Sequence, residues 1–247
     1  MEGWFLMSGF HICSSGLIEY HSIRIGWKLR FASSQTEELR SLSQEDMQSF
    51  EYKESNGELY CVWRGAEFAG PDFKVVVRWR RGENDLFLGS FEYSENTGNC
   101  HIEEILFPFV TAPAPAGSRF LAPFNQGQLM SCGIGCIPYE KRCYYMSMQY
   151  SSLFSGTDGD DNYYFDCRDP KHCIKQFDCR YQKTPGIFEY APVHYVALTE
   201  ESLVRYAVGY ECSVAKFSGS WYESAQLYRA WAIKQSWFIN RRISAVM

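Results

Sequence analysis

The sequence predicts an all-β fold, an antiparallel sandwich with one amphipathic helix near its C-terminal end. Two observations predict this architecture. Most of the middle of the chain alternates apolar and polar residues with a period of two, and from Ser220 the period becomes that of a helix. A length of 247 residues with 46% hydrophobic content allows one large buried core. We therefore expect one large β domain.

Alternating segments predict a meander of antiparallel strands. Segments 74–80 and 87–93 each place their large apolar residues on one face, with polar residues between them. The polar residues 96–99 predict a turn before a further strand at 102–107. Segment 206–214 has the clearest alternation and predicts a half-buried strand. The side chains expected on common faces are Val75, Val77 and Trp79; Phe87, Phe91 and Tyr93; and Tyr206, Val208, Tyr210, Cys212 and Val214.

Two segments interrupt these strands. We expect the proline-rich segment 108–117 to be extended and to cross the end of the sandwich. The acidic segment 155–162 superficially resembles a calcium loop. It lacks the glycine expected at the sixth position, and Asp169 stands at the twelfth, where a bidentate glutamate is expected. A plain hairpin turn is therefore favoured there.

The C-terminal helix is predicted to begin at Ser220. Ser220 and Glu223 have the spacing of a capping box, in which each side chain binds the backbone amide of the other residue. The apolar residues that follow share one helical face: Trp221, Ala225, Tyr228 and Ala232, with Trp231 beside them. We expect the aromatic members of this face to anchor the helix on the sandwich or on a neighbouring domain.

Composition argues against several functional classes. A net charge of -5, with lysine and arginine scattered along the chain, does not fit a nucleic-acid partner. Polar and charged residues interrupt the hydrophobicity of the first 25 residues. This segment therefore has the pattern of neither a signal peptide nor a membrane helix. We expect no membrane partner and a cytoplasmic location.

The ten cysteines are expected to be thiols, since the chain is long enough to fold on its core alone. Cys132 and Cys136 are separated by three residues, and Cys167, Cys173 and Cys179 by five. Neither spacing matches a zinc knuckle, a zinc ribbon or a redox pair. We expect no metal site and no cofactor.

One long motif near the C-terminus supports a family resemblance. Residues 219–237 read G-S-W-Y-E-S-A-Q-L-Y-R-A-W-A-I-K-Q-S-W. They resemble the segment G-x-W-Y-x-A-A-x-x-Y-R-x-W-A-x-x-Q-x-W of a family of bacterial glycoside-hydrolase-like proteins, with Ser224 in place of the first alanine. In that family, the segment joins an N-terminal β-supersandwich, similar to galactose mutarotase, to a (β/α)8 catalytic barrel.

Weaker motifs upstream follow in the same order as in that family. Segments 105–108 and 123–127 resemble its strand and glycine turn. Residues 148–150, 163–170 and Lys175 resemble its stretch M-Q-[WY]…L-Y-x-x-x-x-D-P…K. The resemblance implies an antiparallel β-supersandwich with one C-terminal amphipathic helix. Its implied divisions are a poorly matched segment 1–26, the β-supersandwich at 27–217, and a linker helix at 218–238 that leads to the catalytic barrel.

The resemblance also sets the functional expectation. The chain ends ten residues after Trp237, which leaves no room for a barrel or for the paired carboxylates of a glycosidase. We therefore expect a non-catalytic sandwich region that supports or contributes to carbohydrate binding, with carbohydrate and the missing barrel as its partners. One alternative is a stand-alone carbohydrate-binding module, favoured by an aromatic content of 17%.

The other alternative is a mutarotase-like sugar epimerase, which uses histidines and a glutamate in a concave sheet face. The five histidines are His11, His21, His101, His172 and His194. None falls in a motif of the resemblance. The alternation around His194 predicts a core or edge-strand position, and His172 is expected in an exposed turn.

The candidate ligand-binding residues are Asp169, Lys175, Tyr163 and Tyr164. Asp169 is either a turn carboxylate that accepts backbone amides or a rim residue that touches a sugar hydroxyl. Adjacent tyrosines in a strand point to opposite faces, so one ring of the pair 163–164, and one of the pair 144–145, is expected on the outer face.

Overall fold

The computed structural model describes residues 3–4, 9–33, 36–98, 101–124, 127–132, 139–143, 148–154, 162–182 and 186–238. The acidic segment 155–161 and the tyrosine pair 144–145, for which a hairpin turn and one outward ring were predicted, lie outside the described residues.

Strands dominate the described parts of the chain, together with two α-helices. The helices are α1 (Glu200–Val204) and α2 (Trp221–Ala232). The strands are β1 (Gly3–Trp4), β2 (Phe10–Ile12), β3 (Ile18–Tyr20), β4 (Ile23–Ser33), β5 (Thr36–Ser43), β6 (Ser49–Ser55), β7 (Glu58–Ala66), β8 (Gly70–Arg81), β9 (Phe87–Ser94), β10 (His101–Pro113), β11 (Arg119–Ala122), β12 (Gln128–Ser131), β13 (Tyr139–Cys143), β14 (Tyr150–Phe154), β15 (Asn162–Arg168), β16 (Lys175–Gln182), β17 (Ile187–Tyr195), β18 (Tyr206–Ala207) and β19 (Glu211–Phe217).

These strands form two antiparallel sheets. In the first sheet the order is β1-β2-β3-β4-β10-β17-β16-β13, and β5 pairs with the second half of β4. In the second sheet the order is β12-β11-β14-β15-β19-β9-β8-β7-β6, and β18 pairs with β9. Side chains from both sheets form one large core, which contains Trp27 of the first sheet and Trp63 and Trp79 of the second. The all-β sandwich prediction is confirmed.

The predicted inward faces of the second sheet are also confirmed. Val75, Val77 and Trp79 of β8 are buried, whereas Arg78 and Arg80 are exposed. The next strand buries Phe87, Phe91 and Tyr93 on the core side. A period of two therefore identified the core faces of β8 and β9 correctly.

The proline-rich segment differs from its prediction. Its first part, up to Pro113, belongs to β10, which runs through the middle of the first sheet. Pro108 lies where the pairing of β10 with both β4 and β17 shifts register. A proline has no amide hydrogen for a regular ladder, so a bulge accommodates it inside a sheet.

The poorly matched N-terminal segment is part of the sandwich. Strands β2 and β3 form a hairpin that extends the first sheet beyond β4. The hairpin buries Phe10, Ile12, Ile18 and Tyr20 in the main core. The domain boundary predicted at residue 26 stays a prediction, and the sheet itself continues across it.

The strand predicted at 206–214 is interrupted. Residues 206–207 pair with β9 as β18, and the Val208 amide still donates to the Phe91 carbonyl of β9. Residues 209–210 interrupt the strand before β19 begins at Glu211. Cys212 and Val214 are buried as expected, but Ser213 on the opposite face is also fully buried. That face carries the smaller core between the second sheet and α2, and Ser213 donates there to a buried carboxylate of β15, a contact that alternation cannot predict.

Helix α2 begins where the sequence predicted. The Ser220 hydroxyl accepts from the Tyr222 amide at 3.2 Å, and the Glu223 carboxylate accepts from the Ser220 amide at 2.6 Å. Hydrogen bonds to the Glu223 carboxylate, first from the Ser220 hydroxyl and then from the Ser220 amide, lower the pKa of Glu223. Among the described residues, no helix is both long and apolar enough to cross a membrane.

One predicted anchor of α2 is wrong. Trp221 is 57% exposed and contacts the neighbouring Tyr222 ring. The helix packs against β14 and β15 through its later turns, so a side chain in its first turn reaches beyond the sheet. Ser224, the departure from the family motif, is fully buried and donates its hydroxyl to the Trp221 carbonyl at 2.8 Å.

Candidate functional site

Asp169 and Lys175 form a buried ion pair. Asp169 follows the end of β15, Lys175 begins β16, and both are almost completely buried. The Lys175 Nζ lies 2.6 Å from Asp169 Oδ2. The same carboxylate accepts the amides of Lys171 at 2.9 Å and Cys173 at 2.6 Å. The first interpretation of Asp169, a turn carboxylate that accepts backbone amides, describes this geometry.

Gln149 connects this ion pair to the segment that follows α2. Its Oε1 accepts from Lys175 Nζ at 3.4 Å, and its Nε2 lies 2.8 Å from His172 Nδ1. The His172 ring in turn contacts the Trp237 ring, with 4.8 Å between centroids. Since an amide nitrogen can only donate, the His172 Nδ1 accepts. His172 therefore lies between the sandwich and the segment after α2, although its residue surface is largely exposed as predicted.

A series of aromatic rings continues from Trp237 along α2. Trp237 contacts Trp231 at 6.0 Å between centroids, and Trp231 contacts Tyr228 at 5.5 Å. Tyr228 stacks on Tyr150 of β14 at 5.2 Å. Tyr150 contacts Tyr164 of β15 at 5.9 Å. The rings thus connect the helix to the outer face of the second sheet.

Tyr163 and Tyr164 point to opposite faces, as their adjacency predicts, but neither is exposed. Tyr163 lies in the main core, and its hydroxyl lies 2.9 Å from Ser22 Oγ. Tyr164 lies in a second, smaller core between the second sheet and α2. Its hydroxyl donates to Asp166 Oδ2 at 2.7 Å. Helix α2 covers the outer face there, which is why the expected exposed ring is absent.

Asp166 is a fully buried carboxylate beneath this second core. Ser213 donates to its Oδ1 at 2.6 Å, and the Arg168 Nε lies 3.5 Å from its Oδ2. Burial raises the pKa of Asp166, while Arg168 and the two hydroxyl donors oppose this rise. Burial and the Asp166 charge together raise the pKa of Tyr164 well above its ordinary value.

His194 occupies a core position, one of the two positions that alternation predicted. Its Nε2 lies 2.8 Å from the Phe107 carbonyl oxygen, and its Nδ1 lies 2.6 Å from the Tyr210 hydroxyl. Burial lowers the pKa of His194 to about 4, so the ring is neutral at neutral pH. The Cys212 Sγ lies 3.9 Å from Nε2 and 3.8 Å from the Cys167 Sγ.

A groove of about 320 Å³ lies on the outer face of the first sheet. Arg30 of β4 donates from the same nitrogen to Glu104 Oε2 at 3.0 Å and to Asp178 Oδ2 at 3.2 Å. The Lys28 Nζ lies 3.8 Å above the Phe109 ring, and burial lowers the pKa of Lys28. The groove therefore offers charged hydrogen-bonding groups beside the Phe109 ring.

Comparison with solved structures supports the fold. No protein-family model and no curated protein sequence matches the chain. The structure is similar to the α-N-acetylgalactosaminidase NagBb from Bifidobacterium bifidum in its GalNAc complex, with a TM-score of 0.64 and 14% identity. That match covers 94% of this chain and 38% of that one. The ligand-free form of NagBb matches with a TM-score of 0.59 and 14% identity over the same shares of each chain.

The fold is similar to that of one region of NagBb. Because the chain spans only 38% of the length of NagBb, the activity of that whole enzyme does not transfer with the fold. The four residues selected from the sequence remain ligand-binding predictions. In the structure they are buried. Tyr164 packs in the core beneath α2, whereas Asp169 and Lys175 reach the segment after α2 only through Gln149 and His172.

Proposed function

We propose that this chain is the non-catalytic sandwich region of a larger glycoside-hydrolase-like protein. Its role is to hold the linker helix α2, and the segment after it, in a fixed position relative to the sandwich. One observation carries the proposal: residues from the separate family-like motifs, joined by His172 from outside them, meet in a single connected cluster. We define this helix-seating cluster as Gln149, Tyr150, Tyr164, Asp169, His172, Lys175, Tyr228, Trp231 and Trp237.

Physical chemistry favours a positioning role for this cluster. A buried ion pair adds little net stability, because desolvation offsets most of its Coulomb energy. Such a pair instead fixes geometry, since Lys175 can satisfy its hydrogen bonds only with Asp169, Gln149 and the Cys173 carbonyl in place. Gln149 positions His172 through a hydrogen bond, and the His172 ring in turn contacts and positions Trp237. A domain that follows α2 would inherit a defined orientation.

Hydrogen exchange on α2 tests this proposal. Gln149→Leu removes the contacts to Lys175 and His172 with little change in side-chain volume. We expect exchange of the amides at 228–238 to become about tenfold faster or more, because each lost buried hydrogen bond costs about 1–3 kcal/mol. Lys28→Met is the matched control, since Lys28 lies on the opposite sheet and does not contact α2. Unchanged exchange at 228–238 in Gln149→Leu contradicts the seating role.

The outer-face groove supports a contribution to carbohydrate binding. Protein sites for sugars combine charged or polar hydrogen-bonding groups with an aromatic ring, and Arg30, Asp178 and Phe109 supply this combination. The NagBb structure was obtained as a GalNAc complex, so N-acetylgalactosamine is the first sugar to test. The stand-alone binding module is the second candidate function, and it depends on this groove.

A titration of labelled protein with mono- and disaccharides compares the two regions. We expect amide shifts at Arg30 and Asp178 at millimolar sugar, and none at Asp169 because its carboxylate is buried. Arg30→Gln should abolish the shifts at Asp178. Shifts confined to Asp169 and Lys175 would instead favour the rim interpretation of that pair. No shift in either region would leave the chain with the seating role alone.

The epimerase alternative has less support from the geometry. None of the described side chains that line the groove is a histidine. His194 points into the core, and both of its ring nitrogens are engaged there.

A further inference from the structure

The hairpin of β2 and β3 brings three different metal-binding side chains together on its outer face. Phe10 and Ile12 point into the core, so the intervening His11 points outward, and Cys13 continues the same face two residues later. Glu19 is the direct cross-strand partner of His11. One ligand atom from each of the three residues lies within 4.8 Å of the others.

The hairpin that carries these residues is fixed to the sandwich. The Phe10 ring packs against the Phe87 ring of the second sheet at 4.2 Å between centroids. At the tip of the hairpin, Trp63 Nε1 donates to the Ser15 carbonyl at 2.8 Å. Gly16 has φ +81°, and a Cβ there would lie 2.6 Å from the Trp63 ring. The backbone between the ligands is therefore held in one conformation rather than arranged only when a ligand binds.

We propose that His11, Cys13 and Glu19 bind a divalent transition-metal ion of the Zn²⁺ class. Ligand atoms at zinc-bonding distances of about 2.0–2.3 Å lie roughly 3–4 Å from one another. The His11 Nδ1 and Glu19 Oε2 atoms are already 3.5 Å apart. A thiolate and an imidazole favour Zn²⁺ over Ca²⁺ or Mg²⁺, which take oxygen ligands.

Arg24 of β4 orients the carboxylate of this site. Arg24 is the cross-strand partner of Glu19, and its Nε lies 3.3 Å from Glu19 Oε1. The other carboxylate oxygen, Oε2, is the one that faces His11. A partner of this kind fixes the direction of a ligating carboxylate. Three protein ligands leave the fourth tetrahedral position to water or to an external ligand.

Sequence spacing gave no indication of this site. The pattern H-x-C-x5-E has no paired cysteines, and the cysteine spacings considered at 132–136 and 167–179 lie elsewhere. The three ligands become neighbours only through the register of the hairpin, in which His11 faces Glu19.

Titration with Co²⁺ under reducing, anaerobic conditions tests the proposal. A cobalt–thiolate bond gives a charge-transfer band in the near ultraviolet. We expect this band to saturate at one Co²⁺ per chain and to disappear when Zn²⁺ is added. Cys13→Ser should lose the band, whereas Cys173→Ser, which removes an exposed thiol far from the hairpin along the chain, should retain it.

Equilibrium dialysis with Zn²⁺ provides the second measurement. We expect His11→Ala and Glu19→Gln to weaken binding by about 100-fold or more, the upper limit for residues that only support a ligand. Thermal melts without metal show that each variant is folded. A band that survives in Cys13→Ser, or the lack of a saturable band in the wild-type protein, overturns the proposal.

Discussion

Protonation of His194 is expected to destabilise the fold in mild acid. The Phe107 carbonyl can only accept, so His194 Nε2 carries the hydrogen and Nδ1 accepts from the Tyr210 hydroxyl. The neutral ring therefore satisfies both of its contacts. Burial is the main reason that the pKa falls to about 4, and the nearby Lys175 charge lowers it further. The Phe107 hydrogen bond and the Asp169 charge oppose this fall without cancelling it.

The size of the effect follows from the pKa difference between the folded and unfolded states. Histidine in the unfolded chain titrates near its model value of 6.5, so the unfolded state takes up the proton first as the pH falls. Each pKa unit corresponds to about 1.4 kcal/mol, so the full difference is about 3.5 kcal/mol. The neutral His194 ring contributes its full stabilisation of the folded state above pH 6.5. This contribution is lost progressively as the pH falls from 6.5 to about 4.

Urea unfolding at pH 7 and pH 4.5 measures this loss. We expect the free energy of unfolding of the wild-type protein to fall by about 2–3 kcal/mol more than that of His194→Gln, which cannot take up the proton. His21→Asn is the control, because His21 is exposed and asparagine tolerates its positive φ of 54°. Equal losses in the wild-type protein and His194→Gln would refute the reasoning, since His194 would then bear no protonation penalty in the folded state.

Further predictions concern α2 and catalysis. Ser220→Ala should lower the free energy of unfolding, measured by thermal melts, by about 1 kcal/mol, because it removes the capping hydroxyl. Trp231→Ala should lower the free energy of unfolding by about 2–4 kcal/mol, since the half-buried ring contacts both Tyr228 and Trp237. Trp221→Ala should change stability by less than about 0.5 kcal/mol because the ring is 57% exposed. The purified chain should hydrolyse no aryl α- or β-glycoside; turnover that persists on repurification and disappears with one Asp or Glu substitution would contradict this.

The fold was largely predictable because its signals are local. A period of two marked the buried faces of β8 and β9, and a capping box marked the start of α2 within one residue. The N-terminal hairpin was not predicted, because β2 and β3 have three residues each and give too few alternations.

The site was less predictable because its contacts are long-range. Asp169 and Lys175 stand out in the sequence, but Lys175 is covered by Gln149 and Tyr210, which lie on either side of the pair in the chain. Trp221 was expected in the same interface as Tyr228, since periodicity identifies a helical face and does not show how far a sheet extends beneath it.

The order of strands in the first sheet has a consequence for the chain as it is synthesised. Strand β10, with 13 residues, pairs with β4, which precedes it, and with β17, which emerges more than 70 residues later. In the second sheet, β9 likewise pairs with β19, which is synthesised much later. A nascent chain therefore carries two long unpaired strand edges until β17 and β19 have left the ribosome. Such edges promote intermolecular pairing, so yield during expression should depend on chaperone supply and growth temperature.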